Sequence, residues 1–150
     1  MRVVIQRVLE AQVCINNEVH AEIKKGLLVF IGIEDSDTED DGSYLAKKII
    51  NLRVFADLED KMNLNLKDTS GDILVISQFT LHAKTKKGNR PSFIKAAKPE
   101  QSIPLYTAFC SDLKELLQKP IQTGKFGADM KVSLVNDGPV TILMDSKNKQ

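Results

Sequence analysis

After Gly26 the sequence runs Leu27-Leu28-Val29-Phe30-Ile31-Gly32-Ile33, a stretch without a polar side chain. A strand with one face in water alternates apolar and polar residues, whereas a strand covered on both faces is continuously apolar. We therefore predict that this stretch is a central strand of a sheet covered on both sides. A second apolar run, Ile73-Leu74-Val75-Ile76, predicts another buried strand, which ends at Ser77-Gln78-Phe79-Thr80.

Alternation of apolar and polar residues predicts further strands around this centre. Residues 3–15 carry such a pattern, Asn16-Asn17 is suited to a hairpin turn, and residues 19–23 continue the alternation. A short strand is predicted over 53–56. Residues 57–71 are rich in Asp, Asn and Lys and are predicted to form a surface loop.

The C-terminal part also has an extended pattern. Val132 and Leu134 alternate with polar neighbours, and residues 140–144 resume the pattern after Asp137-Gly138-Pro139. Glycine adopts unusual backbone angles and proline lacks an N–H group, so both are common in turns. Two strands around a turn are the predicted arrangement.

Helical spacing predicts two helices. Ser36 and Glu39 have the spacing of a capping box, and the apolar residues that follow predict a helix over about 37–51. A second helix follows Pro99 and stops before Pro120. Its apolar face comprises Tyr106, Phe109, Cys110, Leu113, Leu116 and Leu117. Because no linker rich in Pro, Gly or Ser divides the chain, we predict a single α/β domain over residues 1–150 with mixed strand directions.

The composition is typical of a folded protein in solution. The chain has 150 residues, of which 42% are hydrophobic and 27% charged. No apolar stretch is long enough to span a bilayer and the N-terminus lacks the features of a signal peptide, so the expected location is the cytoplasm. Cys14 and Cys110 both lie in apolar patterns, and no disulfide is expected.

The net charge of +1 conceals a separation of charges along the chain. Acidic residues cluster between positions 34 and 41, whereas residues 81–99 contain no acid. The bases in that second stretch are Lys84, Lys86, Lys87, Arg90, Lys95 and Lys98. A local basic patch suits contact with one region of a polyanion, and a solvated loop is the alternative interpretation.

The sequence lacks the motifs of the common catalytic sites. The two histidines, His20 and His82, are not at metal-ligand spacing, and neither a nucleophile elbow nor a glycine-rich phosphate loop is present. We therefore expect no metal and no cofactor. Ser77 and Thr80 end a predicted strand, where hydroxyls either meet a ligand or satisfy backbone groups. A hydroxyl attacks poorly without a base, and His82, predicted to share a face with Thr80 in an extended segment, lacks an orienting acid.

Five segments, taken in order, resemble the D-aminoacyl-tRNA deacylase family along nearly the whole chain. They are Met1-Arg2-Val3-Val4-Ile5-Gln6-Arg7-Val8, Ser77-Gln78-Phe79-Thr80-Leu81, Lys87-Gly88-Asn89-Arg90-Pro91-Ser92-Phe93, Thr123-Gly124-Lys125-Phe126-Gly127-Ala128 and Asn136-Asp137-Gly138-Pro139-Val140-Thr141. The resemblance implies a deacylase fold, a barrel-like mixed sheet with two main helices. It also implies hydrolysis of the ester bond of D-aminoacyl-tRNA and of mischarged glycyl-tRNA, which is chirality proofreading in translation.

The same resemblance assigns roles to single residues. Ser77, Gln78, Phe79 and Thr80 would form the catalytic pocket around the 3′ terminal adenosine, with the Phe79 amide stabilising negative charge. Thr80 would be either a nucleophile or part of the pocket wall.

Chiral selection would depend on a homodimer. In it, Gly138-Pro139, as a cis pair oriented by Arg7, would enter the partner subunit's site and reject L-aminoacyl groups. The bases that would contact the acceptor stem of the tRNA are Lys84, Lys86, Lys87 and Arg90.

Two other functions remain open on the residues alone. A non-catalytic RNA-binding module would use the basic stretch and bind tRNA in a salt-sensitive way without turnover. A conventional hydrolase of small esters would act without tRNA.

Overall fold

The fold was obtained as a computed structural model, which describes residues 1–149. The elements are β1 (Arg2–Ile15), β2 (Glu18–Ile23), β3 (Gly26–Gly32), α1 (Glu39–Asn51), β4 (Phe55–Ala56), β5 (Met62–Leu64), β6 (Asp72–Ser77), a 3₁₀ turn (Phe79–His82), α2 (Pro99–Leu117), β7 (Gln122–Thr123) and β8 (Lys131–Asp145).

One mixed sheet contains most of the strands, in the spatial order β2-β1-β3-β6-β7, and β8 pairs with β1. The β3–β6 and β6–β7 pairs are parallel, whereas β1 is antiparallel to β2, β3 and β8. The sheet curls until β2 contacts β6 and β7, which gives a nearly closed, barrel-like shape. The predicted fold class, a single α/β domain with a mixed barrel-like sheet and two main helices, is confirmed.

Strand β3 lies inside the sheet between β1 and β6, and both of its faces are covered. Leu27 and Val29 are fully buried in a core that includes residues of both helices. Leu28 is fully buried on the opposite face, in a second core with Val8 and Leu74. This arrangement confirms the prediction from the continuous apolar run.

The two helices pack against each other. Helix α2 buries Phe109 and Leu113, which belong to its predicted apolar face, and it ends before Pro120, as predicted. Among residues 1–149, no helix has the length and apolar character that a membrane crossing requires.

Helix α1 begins after Thr38, so the predicted capping box at Ser36 and Glu39 is wrong. The Asp41 carboxylate accepts hydrogen bonds from the Thr38 backbone N–H at 2.9 Å and from the Thr38 hydroxyl at 3.2 Å. Partial burial opposes ionisation of Asp41, but hydrogen bonds from Ser146 and Thr38 outweigh it and lower its pKa to about 2. Ser36 lies in the preceding turn.

The segment 57–71 is more ordered than the predicted surface loop. It contains β5, which pairs with β4 outside the main sheet, and its Leu66 is fully buried in the core. The hairpin at Asn16-Asn17 is confirmed, because both residues have positive φ angles, 51° and 63°, as a tight two-residue hairpin turn requires.

Strand β8 is one continuous element, so the prediction of two strands around a turn is wrong. Gln6 pairs with Thr141 and Val8 with Asn136, which leaves Arg7 alone opposite residues 137–140. Both halves of β8 therefore run antiparallel to β1, and Asp137-Gly138-Pro139 lies in a bulge rather than a reversal of the chain. Glycine and proline suit either conformation, and only the pairing with β1 distinguishes them.

Candidate active site

The parallel strands β3 and β6 end at the same edge of the sheet, where ligands commonly bind in α/β proteins. Ser77 is paired with Ile31 at this edge, and the Gln78 N–H donates to the Ile31 carbonyl oxygen at 2.7 Å. The chain then leaves the sheet and forms the 3₁₀ turn. Ser77 and Gln78 are thus held by strand pairing directly beside an open end of the sheet.

The 3₁₀ turn separates Thr80 from His82. Thr80 is exposed, whereas His82 is buried with 3% exposure and its Nδ1 lies 3.7 Å from the Glu34 carboxylate. The prediction that both residues share one face of an extended segment is therefore wrong. Thr80 Oγ1 instead accepts a hydrogen bond from Gln78 Nε2 at 2.7 Å.

A cavity of about 640 Å³ opens beside Ser77, Gln78 and Phe79. The other residues that line it are Ile31, Ile33, Ile76, Phe93, Ala96, Ala97, Pro99, Ser102, Tyr106, Phe126, Gly127, Ala128, Asp129, Met130 and Val132. Most of these side chains are apolar. Asp129 is the only charged residue among them, and it is 86% exposed and paired with Lys131.

Aromatic rings from separate parts of the chain meet in this cavity. Phe79 and Phe93 pack edge to face with 5.0 Å between ring centroids, and Tyr106 and Phe126 do so at 5.7 Å. Phe93 and Phe126 belong to two of the five segments that carry the family resemblance, but neither was predicted as a site residue. Tyr106 lies outside those segments, and its spacing in the sequence indicates only the apolar face of a helix.

Two titratable groups of helix α2 beside the cavity, Tyr106 and Cys110, are protonated and neutral at physiological pH. Burial raises the pKa of Tyr106 far above its usual value, with Cys110 adding to the effect, and its hydroxyl donates to the Val75 carbonyl oxygen at 3.3 Å. Burial likewise raises the pKa of the Cys110 thiol to about 11. Neither side chain is suited to act as a base or as a nucleophile.

The second predicted motif lies in the bulge of β8. The Gly138–Pro139 peptide bond is cis, and both residues are exposed. Arg7 holds this bulge, because its Nε lies 3.1 Å from the Asp137 carbonyl oxygen and its Nη1 donates to Val54. A Cβ atom at Gly138 would lie 2.9 Å from Arg7 Nη2, and the Gly138 φ of 127° also disfavours any other residue.

Asn136 closes the bulge from the other side. Its Nδ2 donates to the carbonyl oxygens of Arg7 at 3.0 Å and of Val140 at 2.9 Å. The backbone on either side of Gly138-Pro139 is therefore fixed by two side chains. Such support gives the exposed carbonyl groups of the bulge a defined orientation.

Within one chain, the structure brings only part of the predicted site together. Ser77, Gln78 and Phe79 line the cavity, whereas Thr80 lies outside its lining. Gly138-Pro139 and Arg7 are also absent from the lining and form a separate group on β1 and β8.

The basic segment begins next to the 3₁₀ turn. Lys84 and Ser92 exchange backbone hydrogen bonds of 2.8 and 3.0 Å, so the residues between them form a loop that returns to Phe93 at the cavity. Its bases are Lys84, Lys86, Lys87 and Arg90, all exposed. Within residues 1–149 these four form no ion pair with an acid, so their charge faces the solvent near the cavity.

Comparison with known proteins gives consistent matches. The sequence profile of a family described as D-Tyr-tRNA(Tyr) deacylase matches residues 4–145. Proteins named D-aminoacyl-tRNA deacylase from Flavobacterium psychrophilum and Bacteroides thetaiotaomicron are 62% and 60% identical over the full length of both chains. A solved structure described as c-Myc DNA Unwinding Element Binding Protein is 39% identical, with a TM-score of 0.90 over 97% of this chain and 98% of that one. A probable eukaryotic D-amino acid tRNA deacylase, 19% identical over 95% of this chain and 97% of that one, shares the fold with a TM-score of 0.81.

Proposed function

Because this chain belongs to the D-Tyr-tRNA(Tyr) deacylase family and is a D-aminoacyl-tRNA deacylase, a hydrolase of the aminoacyl-tRNA ester bond, we propose that its cavity receives the aminoacylated 3′ terminal adenosine. The cavity beside Ser77–Phe79 carries this proposal. Its volume of about 640 Å³ is in the range of small-molecule sites, and aromatic and aliphatic walls suit a purine ring. Ser77 and Gln78 supply polar groups to the wall, and the ribose and the ester would lie beside them.

Hydrolysis in this cavity would proceed without a side-chain base. Asp129 is paired at the exposed mouth, His82 is buried on the inner side of the turn, and Tyr106 remains protonated. An aminoacyl ester is already an activated bond, and the substrate carries the 2′-hydroxyl of its terminal ribose next to that bond. The proposed reaction is therefore assisted by the RNA, with the protein supplying orientation.

The start of the 3₁₀ turn offers a group that could stabilise the transition state. The first N–H groups of a helical turn have no acceptor within the turn, and Phe79 holds such a position at the cavity wall. An N–H donor fixed where negative charge develops lowers the barrier to ester hydrolysis. We assign this role to the backbone amide of Phe79.

Thr80 has a supporting role in this proposal. Its hydroxyl accepts a hydrogen bond from Gln78, and within residues 1–149 no hydrogen bond joins it to a basic side chain. A hydroxyl nucleophile needs a base to take its proton. Thr80 therefore orients Gln78 at the pocket wall and does not attack the ester.

Chiral selection is assigned to Gly138-Pro139 of a second copy of the chain. The pair is exposed, is held by Arg7 and Asn136, and is not part of the cavity of its own chain. Its carbonyl groups would face the amino group of the bound aminoacyl moiety, where they would collide with an L-side chain but not with a D-side chain. Glycine, which has no side chain, would also be accepted. The functional unit is then a homodimer with two shared sites.

The basic loop is assigned to the acceptor stem of the tRNA. Its four exposed bases lie on a loop that ends at Phe93 of the cavity wall, and Lys and Arg contacts with phosphates orient a nucleic acid without reading its sequence. The proposed place of action is the cytoplasm, where aminoacyl-tRNA is used.

The test measures release of tyrosine from D-tyrosyl-tRNA and from L-tyrosyl-tRNA under identical conditions. We expect rapid cleavage of the D-ester and negligible cleavage of the L-ester. Equal cleavage of both would contradict the assignment of chiral selection. A free ester of D-tyrosine serves as the control, and its cleavage at the same rate would indicate a conventional esterase that has no need of tRNA.

Binding of nucleic acid in addition to ester hydrolysis is a second candidate function, which the exposed basic loop favours. One structural relative is named for binding a DNA unwinding element. This candidate predicts that uncharged tRNA also binds and that its affinity falls steeply with salt. Absence of measurable binding of uncharged tRNA would exclude it.

A further inference from the structure

The 3₁₀ turn rests on the end of the sheet at Gly32. A Cβ atom at Gly32 would lie 2.9 Å from the Gln78 carbonyl oxygen and 2.9 Å from Leu81 Cβ, distances too short for any side chain at this position. The turn therefore packs directly on the backbone of β3, with Phe79 and Thr80 on its exposed side. Its orientation depends on what holds its inner side.

Arg2 reaches this turn from the neighbouring strand. It is paired with Gly32 across β1–β3 and with Asp145 across β1–β8. Its Nη1 donates to the Leu81 carbonyl oxygen at 3.2 Å, and its Nε donates to Asp145 Oδ2 at 2.7 Å. One guanidinium thus connects the turn to the end of β8.

The charge on Asp145 supports this connection. Burial raises its pKa, but the hydrogen bonds from Arg2 and from the backbone N–H groups of Lys147 and Asn148 outweigh burial and lower the pKa below its usual value. The carboxylate is therefore ionised at neutral pH. It accepts a hydrogen bond from Arg2 Nε. The Nη1 atom of the same guanidinium donates to the Leu81 carbonyl oxygen.

We propose that Arg2 is a positioning residue for ester hydrolysis, which fixes the 3₁₀ turn by holding the carbonyl group of Leu81. The inference rests on the proposed function, because it takes Ser77–Phe79 as the place where the ester binds. Without the contact, the turn could rotate on Gly32 and displace the Phe79 N–H. A displacement of about 1 Å at a reacting centre can cost on the order of 100-fold in rate.

A purely stabilising role would have a different signature. The Arg2 side chain is 42% exposed, and exposed ion pairs add little to stability. Loss of Arg2 should therefore alter kcat much more than the melting temperature. Because Arg2 does not line the cavity, KM should also change little.

The experiment compares Arg2→Met with Lys119→Met in the full chain. Lys119 is a matched control, since it forms an ion pair with Asp72 at 2.6 Å and donates to the Gly71 carbonyl oxygen, away from the cavity. We expect Arg2→Met to lower kcat for D-tyrosyl-tRNA about tenfold or more. Lys119→Met should leave kcat unchanged.

Three further variants test whether the effect of Arg2 depends on its guanidinium contacts. Asp145→Asn should lower kcat less than Arg2→Met, and the double variant should be no slower than Arg2→Met alone, because both changes act on the same contact. Arg2→Lys should recover part of the rate. An additive double variant would overturn the inference. Should Arg2→Met fail to fold, Asp145→Asn decides the question, and an unchanged kcat in that variant overturns the inference.

A cavity-filling variant, Ala96→Phe, separates this inference from the proposed function. If Ala96→Phe is inactive while Arg2→Met keeps the wild-type kcat, the role of Arg2 is wrong and the proposed site stands. If Ala96→Phe is fully active, the proposed site itself is wrong. If the activity of Arg2→Met falls only in proportion to the folded fraction measured by circular dichroism, Arg2 is structural and the inference is overturned.

Discussion

At Gly138, backbone conformation and packing both exclude a side chain. Its φ of 127° is unfavourable for residues other than glycine, and the Arg7 guanidinium occupies the space that a Cβ atom would need. Gly138→Ala should therefore displace the carbonyl groups of the bulge. We expect the ratio of the D-tyrosyl to the L-tyrosyl cleavage rates to fall by about tenfold or more, since the loss of one steric contact of order 1–3 kcal/mol has that effect.

Gly88 provides the matched control for that substitution. It also has a positive φ, 68°, but a Cβ atom there would meet nothing within 4 Å. Gly88→Ala should leave the ratio of the two rates unchanged. If both variants changed the ratio equally, or if Gly138→Ala did not change it, steric selection by the bulge would be contradicted.

Removal of the Thr80 hydroxyl tests whether this group attacks the ester. Because this hydroxyl accepts a hydrogen bond from Gln78 and, among residues 1–149, forms none with a basic side chain, Thr80→Ala should retain kcat within about threefold. Single-turnover rates with D-tyrosyl-tRNA measure the effect. A loss of about 10⁴-fold or more would indicate covalent catalysis by Thr80 and would reject the RNA-assisted mechanism.

At the scale of elements, the cap at the start of α1 predicts that the stability of the protein depends on pH. The folded state lowers the pKa of Asp41 from 3.8 to about 2, so its stabilising effect is complete above pH 4 and is lost as the pH falls toward 2. Asp41→Asn should lower the melting temperature at pH 7 by about 3 °C, which corresponds to about 1 kcal/mol for a lost helix cap. The difference from wild type should shrink between pH 4 and pH 2 in thermal unfolding curves.

Asp40→Asn is the control for this element, because Asp40 is exposed in the same helical turn but does not accept the capping hydrogen bonds. Its effect at pH 7 should be smaller than that of Asp41→Asn. An equal effect would mean that the helix dipole, rather than the cap, accounts for the stabilisation.

Elements with a local signal were predicted well, and those that depend on a distant partner were not. The apolar run in β3 and the periodicity of α2 are visible in the sequence, because burial imposes them on neighbouring residues. The short strand predicted over 53–56 is present as β4, but its partner β5 and the bulge in β8 were missed. Turn-forming residues look the same in a loop, a bulge and a hairpin, and only pairing with another strand distinguishes them.

How the bulge and the cavity come together depends on the whole molecule, because the two lie apart within one chain. If the protein is the proposed homodimer, Gly138→Ala chains should recover chiral selection when they are co-refolded with an excess of Ala96→Phe chains, because each mixed dimer would then pair an open cavity with an intact bulge. We expect cleavage of L-tyrosyl-tRNA to fall as the Ala96→Phe fraction rises. Cleavage that stays constant across the mixing series would contradict a site shared between subunits.

The sequence by itself determined the family, the α/β class, the central strand and the position of Ser77–Phe79, because these depend on local patterns and on continuous motifs. Only the tertiary structure decided that Phe93, Tyr106 and Phe126 close one cavity with them and that Thr80 and His82 face different sides of a turn. It also decided that Gly138-Pro139 protrudes from a continuous strand beside Arg7. The physical reason is that these relations depend on which strands pair and which faces pack, and residues far apart in the chain determine both.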